Sequence, residues 1–346
     1  MKTKMINIDN IVRPNILELK PYSSARDEFT GKEGIFLDAN ENPFGELNRY
    51  PDPYQNELKH KLAELKGVST NNIFVGNGSD EVIDLAFRIF CSPGFDKALT
   101  FSPTYGMYDV SAAINNVELL KLPLNKEFQI NLEKLEPYFN DNSIKLMFIC
   151  SPNNPTGNLM NKNDIEFILN NFNGIVIIDE AYIDFAENGS LISLINSYNN
   201  LIVSQTFSKA WGLAAARVGT AYANEEIITL YNKVKPPYNV SKINQQAAID
   251  ALDNSSRFEK NLSLILAEKE RLKTELEEID LVKKIYPSDA NFLLLKVDDA
   301  NQIYSQLVNQ QIITRNRTTQ VTNCLRISVG TPEENDELLN ALKTLA

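Results

Sequence analysis

The sequence predicts an α/β fold, a largely parallel sheet packed between helices, followed by a smaller α+β lobe. Three observations lead there. Short apolar runs at residues 73–75, 98–101, 146–150, 175–178, 201–203 and 218–222 alternate with segments whose apolar residues recur at helical spacing. The run Ile175-Val176-Ile177-Ile178 is continuously β-branched rather than alternating, as expected of a parallel strand buried on both faces. Beyond the break at Lys235-Pro236-Pro237-Tyr238 the pattern changes to one long charged helix over about 241–278, then strand-like runs at 291–296 and 324–329 flanking a helix. The large lobe is expected at about 35–235 and the small lobe from 236 to 346.

In chain order, the first informative junction is Val75-Gly76-Asn77-Gly78-Ser79-Asp80-Glu81. It joins a strand to a helix whose apolar positions are Val82, Ile83, Leu85, Ala86, Ile89 and Phe90. Glycines let the backbone turn sharply, and N–H groups of Ser79 and Asp80 at the helix start can face an anion; a simple N-cap is the plainer reading. Next, the strand at 146–150 runs into Ser151-Pro152-Asn153-Asn154-Pro155-Thr156-Gly157, whose prolines and glycine restrict the backbone around Asn154. The strand at 175–178 then delivers Asp179 to its carboxyl end. A carboxylate buried there needs a partner, either in an ordinary ion pair or N-cap, or as the acid that holds a proton on a pyridine nitrogen.

The densest signal is Ser204-Gln205-Thr206-Phe207-Ser208-Lys209-Ala210-Trp211-Gly212-Leu213, followed by Arg217. Lys209 falls in the loop beyond a buried strand, where open α/β sheets bind ligands. A partly desolvated lysine there loses its proton near neutral pH and attacks carbonyls, although most loop lysines are solvated surface charges. Thr206, Ser208 and Arg217 supply hydroxyl donors and a charged fork able to complete an anion cradle with Ser79 and Asp80.

Composition removes other classes of function. A chain of 346 residues buries about three quarters of its unfolded surface, enough for a deep site. A net charge of −11 argues against nucleic acid or an anionic membrane as partner. No apolar run approaches a membrane span and the first residues lack a signal-peptide core, so a cytoplasmic location is expected. Cys91, Cys150 and Cys324 are too scattered for a disulfide framework or a metal knuckle. The one histidine, His60, lies on the charged side of an amphipathic helix, which leaves lysine, carboxylate or tyrosine as the available bases and no metal expected.

Asn154-Pro155-Thr156-Gly157, Asp179-x-x-Tyr182 and Ser204-x-x-x-Ser208-Lys209 with Arg217 together resemble the fold-type I aminotransferases that use pyridoxal 5'-phosphate. Asp38-Ala39-Asn40-Glu41-Asn42-Pro43, Arg49-Tyr50-Pro51, Pro103-Thr104-Tyr105-Gly106-Met107-Tyr108, Ser288-Asp289-Ala290-Asn291-Phe292 and Leu325-Arg326-Ile327-Ser328-Val329-Gly330-Thr331 narrow the resemblance to the histidinol-phosphate aminotransferase family, over about 38–331. One departure is Ala215, where the family usually has glycine, and minor repacking is expected there. The resemblance implies a mostly parallel mixed sheet and a small lobe that the first 34 residues join.

It also implies roles. Lys209 would carry the cofactor and act as base, with Asp179 on the ring nitrogen and Asn154 and Tyr182 on the ring oxygen. Tyr105 would stack on the ring, with plain loop packing as the alternative. Tyr50 would reach the cofactor phosphate from a second subunit, implying a homodimer with shared sites. Arg326 would take both the phosphate of L-histidinol phosphate and the carboxylate of glutamate or 2-oxoglutarate. Tyr22, Arg315 and Asn40 are further substrate-side candidates. A phospho-amino-acid decarboxylase or an aromatic aminotransferase of the same fold would share the cofactor residues.

Overall fold

The computed structural model describes residues 5–22, 34–187 and 189–345. Its large sheet contains β1 (Ile73–Gly76), β2 (Lys97–Ser102), β3 (Glu118–Pro123), β4 (Ile144–Cys150), β5 (Ile175–Asp179), β6 (Leu201–Thr206) and β7 (Gly219–Ala223). The seven strands lie in the order β1-β7-β6-β5-β4-β2-β3. Pairs among β2 to β6 are parallel, whereas β7 runs antiparallel to both β1 and β6. The sheet is therefore mixed but mostly parallel. The edge strand β3 was not anticipated, because a half-exposed edge need not be continuously apolar.

Helices cover both faces. On one, Phe74, Phe148 and Ile177 meet Val82, Phe87 and Phe90 of the helix Ser79–Phe90 and Ile227 and Tyr231 of the helix Glu225–Val234. On the other, Val176, Ile178 and Val203 meet Ile165, Ile168 and Leu169 of the helix Lys162–Asn171. Ile175, Ile177, Ile178, Ile202 and Val203 are fully buried, so polar chemistry is confined to the strand ends.

The small sheet is antiparallel: β8 (Val282–Ile285), β9 (Phe292–Val297), β10 (Arg315–Asn316) and β11 (Cys324–Ser328), in the order β10-β11-β9-β8. It packs on the helices Ala300–Asn309 and Pro332–Leu345 and on Leu272 and Leu276 of the helix Ser255–Glu277.

Segments on either side of residues 35–235 also contribute to the core around the large sheet. Ile8, Ile11, Val12 and Ile16 join the core around Phe87 and Phe90, and Arg13 N–H donates to the Ile89 carbonyl at 3.0 Å. The described part of the N-terminal segment thus packs on the large lobe, because apolar side chains there cover the outer helices. Val240, Ala248 and Ile249 also belong to the large lobe's core. The single helix expected over 241–278 is two, Lys242–Asp253 and Ser255–Glu277, broken at Asn254 with φ −112° and ψ 51°. A run of Asp253, Asn254, Ser255 and Ser256 offers side-chain partners that compete with helical backbone bonds. Among the described residues, no helix is long and apolar enough to cross a membrane.

A loop from the small lobe fixes the Asn154 turn. Asp289 N–H donates to the Gly157 carbonyl at 2.8 Å, and its carboxylate accepts from Leu159 N–H at 2.9 Å. Gly157 has φ +84°, and a Cβ there would lie 2.5 Å from Ser288 Oγ, so the close approach requires glycine. Buried Lys269 secures the loop from behind, donating to the carbonyls of Ser288 at 3.0 Å and Ala290 at 3.2 Å.

Candidate active site

Strand ends from distant parts of the chain surround one cavity of about 560 Å³, its open mouth included. Ser79, Asp80, Tyr105, Cys150, Asn154, Asp179, Ala181, Tyr182, Thr206, Ser208, Lys209, Ala214 and Arg217 form its walls. At one end the helix Ser79–Phe90 starts at Gly78, which offers no capping side chain, so the first-turn N–H groups point where an anion can use them. Gly78 has φ +83°, and a Cβ there would come within 2.7 Å of Arg217 Nη2. Arg217 adopts a left-handed φ of 51° and is held by hydrogen bonds to Asp80 Oδ2 at 3.2 Å and the Ala214 carbonyl at 3.3 Å. Thr206 Oγ1 accepts from Ser208 N–H at 3.1 Å and lies 3.0 Å from Ser208 Oγ, which turns both hydroxyls into the same end. Ala215 is exposed in the short helical turn Ala214–Ala216, so its methyl displaces nothing in the core.

The opposite end is closed by a buried acid. Asp179 closes β5, is 3% exposed, and accepts from Tyr108 Oη at 2.7 Å and from Ala181 N–H at 3.2 Å. Burial raises its proton affinity, and those two hydrogen bonds oppose the shift. Asn154 Nδ2 donates to Tyr182 Oη at 3.2 Å. The turn carrying Asn154 is anchored by buried Asn153, which donates to the Pro103 carbonyl at 2.9 Å and to Thr156 Oγ1 at 2.7 Å.

Lys209 lies between the two ends, its Nζ 5.5 Å from the centre of the Tyr182 ring. Its turn is pinned by Trp211, which stacks on Phe258 of the helix Ser255–Glu277 at 3.9 Å between ring centres. Desolvation lowers the proton affinity of Lys209, Arg326 and Arg217 add to the effect, and Asp179 and Asp80 oppose it. The arrangement offers an anion cradle, an amine poised toward its neutral form, and a buried acid, all in reach of one flat molecule.

The family model described as "Aminotransferase class I and II" matches residues 31–342. The chain belongs to this aminotransferase family. A curated relative, the histidinol-phosphate aminotransferase of Cytophaga hutchinsonii, is 50% identical over 345 residues, covering 98% of this chain and 99% of its own. Among solved structures, the histidinol-phosphate aminotransferase of Clostridium acetobutylicum is 26% identical with a TM-score of 0.80, covering 86% of this chain and 91% of its own. That of Sinorhizobium meliloti, solved in complex with pyridoxal-5'-phosphate, shares the fold at 24% identity with a TM-score of 0.78, covering 89% of this chain and 90% of its own.

This aminotransferase also carries a cluster of arginines beside the cavity. Arg315 on β10 pairs in register with Arg326 on β11, and Arg326 donates to Asn154 Oδ1 while lying 5.2 Å from the centre of the Phe292 ring. Arg317, absent from the sequence-based candidates, joins them. Burial and the charges of Arg326 and Arg315 push it down to about 10. Burial also lowers Arg326, with Arg315 adding to the effect and Tyr182 opposing it. The Nε atoms of Arg317 and Arg326 are buried without a hydrogen-bond partner, and among the described residues no carboxylate pairs with any of the three arginines. Arg317 directly follows β10, and only its Arg-x-Arg spacing from Arg315 could have revealed it.

Arg315 and Arg326 stand beside this cavity without lining it, and three other sequence-predicted residues lie away from it. Asn40 and Tyr50 line a separate open trough with Tyr238 and Ile243, where Tyr50 stacks on Tyr238 at 4.3 Å. Tyr22 is 69% exposed beside Tyr54 and Lys235. Residues 34–55 form bends and turns without helix or strand and are mostly exposed, and neither Asn40 nor Tyr50 lines the cavity of their own chain.

Proposed function

We propose that this aminotransferase uses pyridoxal 5'-phosphate to exchange the amino group of L-histidinol phosphate with 2-oxoglutarate, yielding imidazole-acetol phosphate and glutamate in histidine biosynthesis. The observation that carries the substrate assignment is the set of Arg315, Arg317 and Arg326, without acidic partners among the described residues, beside Asn154. A cluster of like charges is costly unless an anion completes it, and forked guanidiniums suit both a phosphate and a carboxylate. One anion site would then serve both substrates in turn. The name of the half-identical relative supports the same pair.

The donor set fits the cofactor. An uncapped helix start, two hydroxyls and Arg217 suit its phosphate, and Asp179 suits a protonated pyridine nitrogen at the far end. When bound, pyridoxal 5'-phosphate supplies an electron sink for the pair left when an α-proton departs. Lys209 would hold the cofactor through its amine and would serve as the base that moves the proton of the substrate α-carbon; its lowered proton affinity suits that exchange. Asp179 keeps the ring nitrogen protonated. Asn154 and Tyr182 would hold the ring oxygen, and Tyr105 would cover the ring.

The active unit is a homodimer in which Tyr50 reaches the partner's cofactor phosphate. The exposure of Ile35, Leu37, Phe44 and Leu47, each above 60%, along the segment that carries Tyr50 supports a second copy as its cover. A cytoplasmic location accords with a soluble pathway substrate. Neither nucleic acid nor membrane is a partner.

The deciding experiment gives the purified enzyme histidinol phosphate and 2-oxoglutarate, or threonine phosphate, or an aromatic amino acid with 2-oxoglutarate, and follows glutamate and carbon dioxide. Glutamate formed with histidinol phosphate at far higher kcat/KM than with aromatic donors is the expected result. Carbon dioxide release as the main reaction, or preference for the aromatic donor, refutes it.

A further inference from the structure

Tyr108 lies on the helix Met107–Ile114 and is fully buried beneath the cavity rather than lining it. Its ring stacks on Phe148 of β4, 4.9 Å between centres and 20° between planes, and meets Tyr105 edge-on at 5.7 Å and 88°. Those contacts fix the ring, so the hydroxyl has a set direction. It ends 2.7 Å from Asp179 Oδ2. We propose that Tyr108 is a positioning residue for the aminotransferase reaction, its hydroxyl holding the Asp179 carboxylate in its working rotamer and charge state. The proposal rests on the reading of Asp179 as the partner of the cofactor's ring nitrogen.

A carboxylate in this position has few sources of support. The groups facing it are Tyr108 and Tyr105, Cys150 at the end of β4, Asp80, Tyr182 and Lys209. Asp80 is a like charge, and the buried Cys150 thiol and the tyrosine hydroxyls are all pushed upward, so none of them ionises near neutral pH. Lys209 attracts it, but its amine is consumed in anchoring the cofactor. The lasting contributions from the protein are two hydrogen bonds, from Ala181 N–H to Oδ1 and from Tyr108 to Oδ2. Tyr108 is also a donor that cannot switch off, because burial and Asp179 both raise its own proton affinity well above ordinary tyrosine. In sequence Tyr108 stands three positions after Tyr105, within a motif read only for its resemblance. Structurally, that spacing puts one tyrosine at the cavity wall and the other under the acid.

The test is Tyr108→Phe in the full-length, cofactor-loaded enzyme, which keeps the ring and removes only the hydroxyl. Losing a donor raises the proton affinity of Asp179, so the acid side of every pH profile moves upward. The visible absorbance of the bound cofactor should titrate at higher pH than in wild type. Cofactor affinity should fall about ten-fold or more near pH 6 while converging with wild type near pH 9, and kcat should drop more than KM for the amino donor changes. Melting temperature without cofactor reports any folding defect. Combining Tyr108→Phe with Asp179→Asn closes a cycle: the Tyr108 change should have little further effect once the carboxylate is gone. Wild-type pH profiles in Tyr108→Phe, or an undiminished effect in the Asp179→Asn background, overturn the proposal. If Asp179→Asn itself leaves absorbance and turnover unchanged, the reading of Asp179 fails instead.

Discussion

Replacing Gly219 by alanine tests whether the anion cradle is set by backbone contact. Gly219 opens β7 and pairs with Gly76 on one side and Thr206 on the other. A Cβ built there lies 2.2 Å from Ser79 N and 2.4 Å from Gly78 C, whereas ordinary contact begins at 3.4 Å. The helix start must therefore retreat by about 1.2 Å, the difference between those limits. It cannot tilt freely, because Val82, Phe87 and Phe90 of the same helix are locked in the core. Overpacking of this kind costs about 1–3 kcal/mol. The larger effect is chemical, since a misplacement of about 1 Å in a positioning group is worth up to about 100-fold. Apoprotein should be titrated with pyridoxal 5'-phosphate and with pyridoxal, and melted with and without each. The variant should melt lower and bind the phosphorylated form about 10- to 100-fold more weakly, with much less change for pyridoxal. Gly106→Ala, whose Cβ meets no atom within 4 Å, is the control. Wild-type affinity for pyridoxal 5'-phosphate in Gly219→Ala would refute the reasoning.

Two further predictions concern stability and assembly. Glu180 is buried and accepts from Leu191 N–H, Ser190 Oγ and Gln205 Nε2, yet desolvation outweighs these bonds and raises it from 4.5 to about 7. The folded state then holds the proton more tightly than the unfolded state. Its contribution is full below about pH 4.5 and is lost as pH rises toward 7, a change of order 3 kcal/mol. Unfolding of wild type and Glu180→Gln at pH 5 and pH 8 should show wild type losing stability relative to the variant, and parallel pH curves would contradict this. For assembly, Lys209→Ala should abolish turnover and the absorbance of anchored cofactor. Mixing its subunits with those of an inactive Tyr50→Asp variant should restore activity, because one site of each mixed dimer keeps both residues. Mixed dimers without recovery would rule out shared sites.

Much of the fold was readable because continuously apolar strands such as Ile175-Val176-Ile177-Ile178 announce burial on both faces, and the polar residue that follows marks a strand end. That rule gathers Asp179, Asn154 and Lys209, which the structure brings to one cavity. Residues acting from outside a strand end were less legible. Tyr108 hides in a helix face, and Arg317 depends on a two-residue strand pairing that local pattern does not encode. The N-terminal segment illustrates a related limit. Ile8, Ile11, Val12 and Ile16 are visibly apolar, but nothing in their spacing says which lobe they cover. Tyr50 and Asn40 show the same limit, since nothing in their local pattern says that they lie on a separate trough rather than on the cavity.

The place of β7 in the sheet has a consequence for how the enzyme is born. It is the last strand of that sheet to be synthesised, yet it lies between β1 and β6. A growing chain can pair β2 to β6 as they emerge from the ribosome, while β1 waits without a neighbour. The half of the cavity carried by Ser79 and Asp80 stays unattached to the half carried by Ser208 and Lys209 until residues 219–223 arrive and bridge them. The two halves of the cavity are thus joined only by the last strand of the sheet, and a chain that stops short of β7 lacks that bridge. The polypeptide acquires its lysine before it acquires a place to use it.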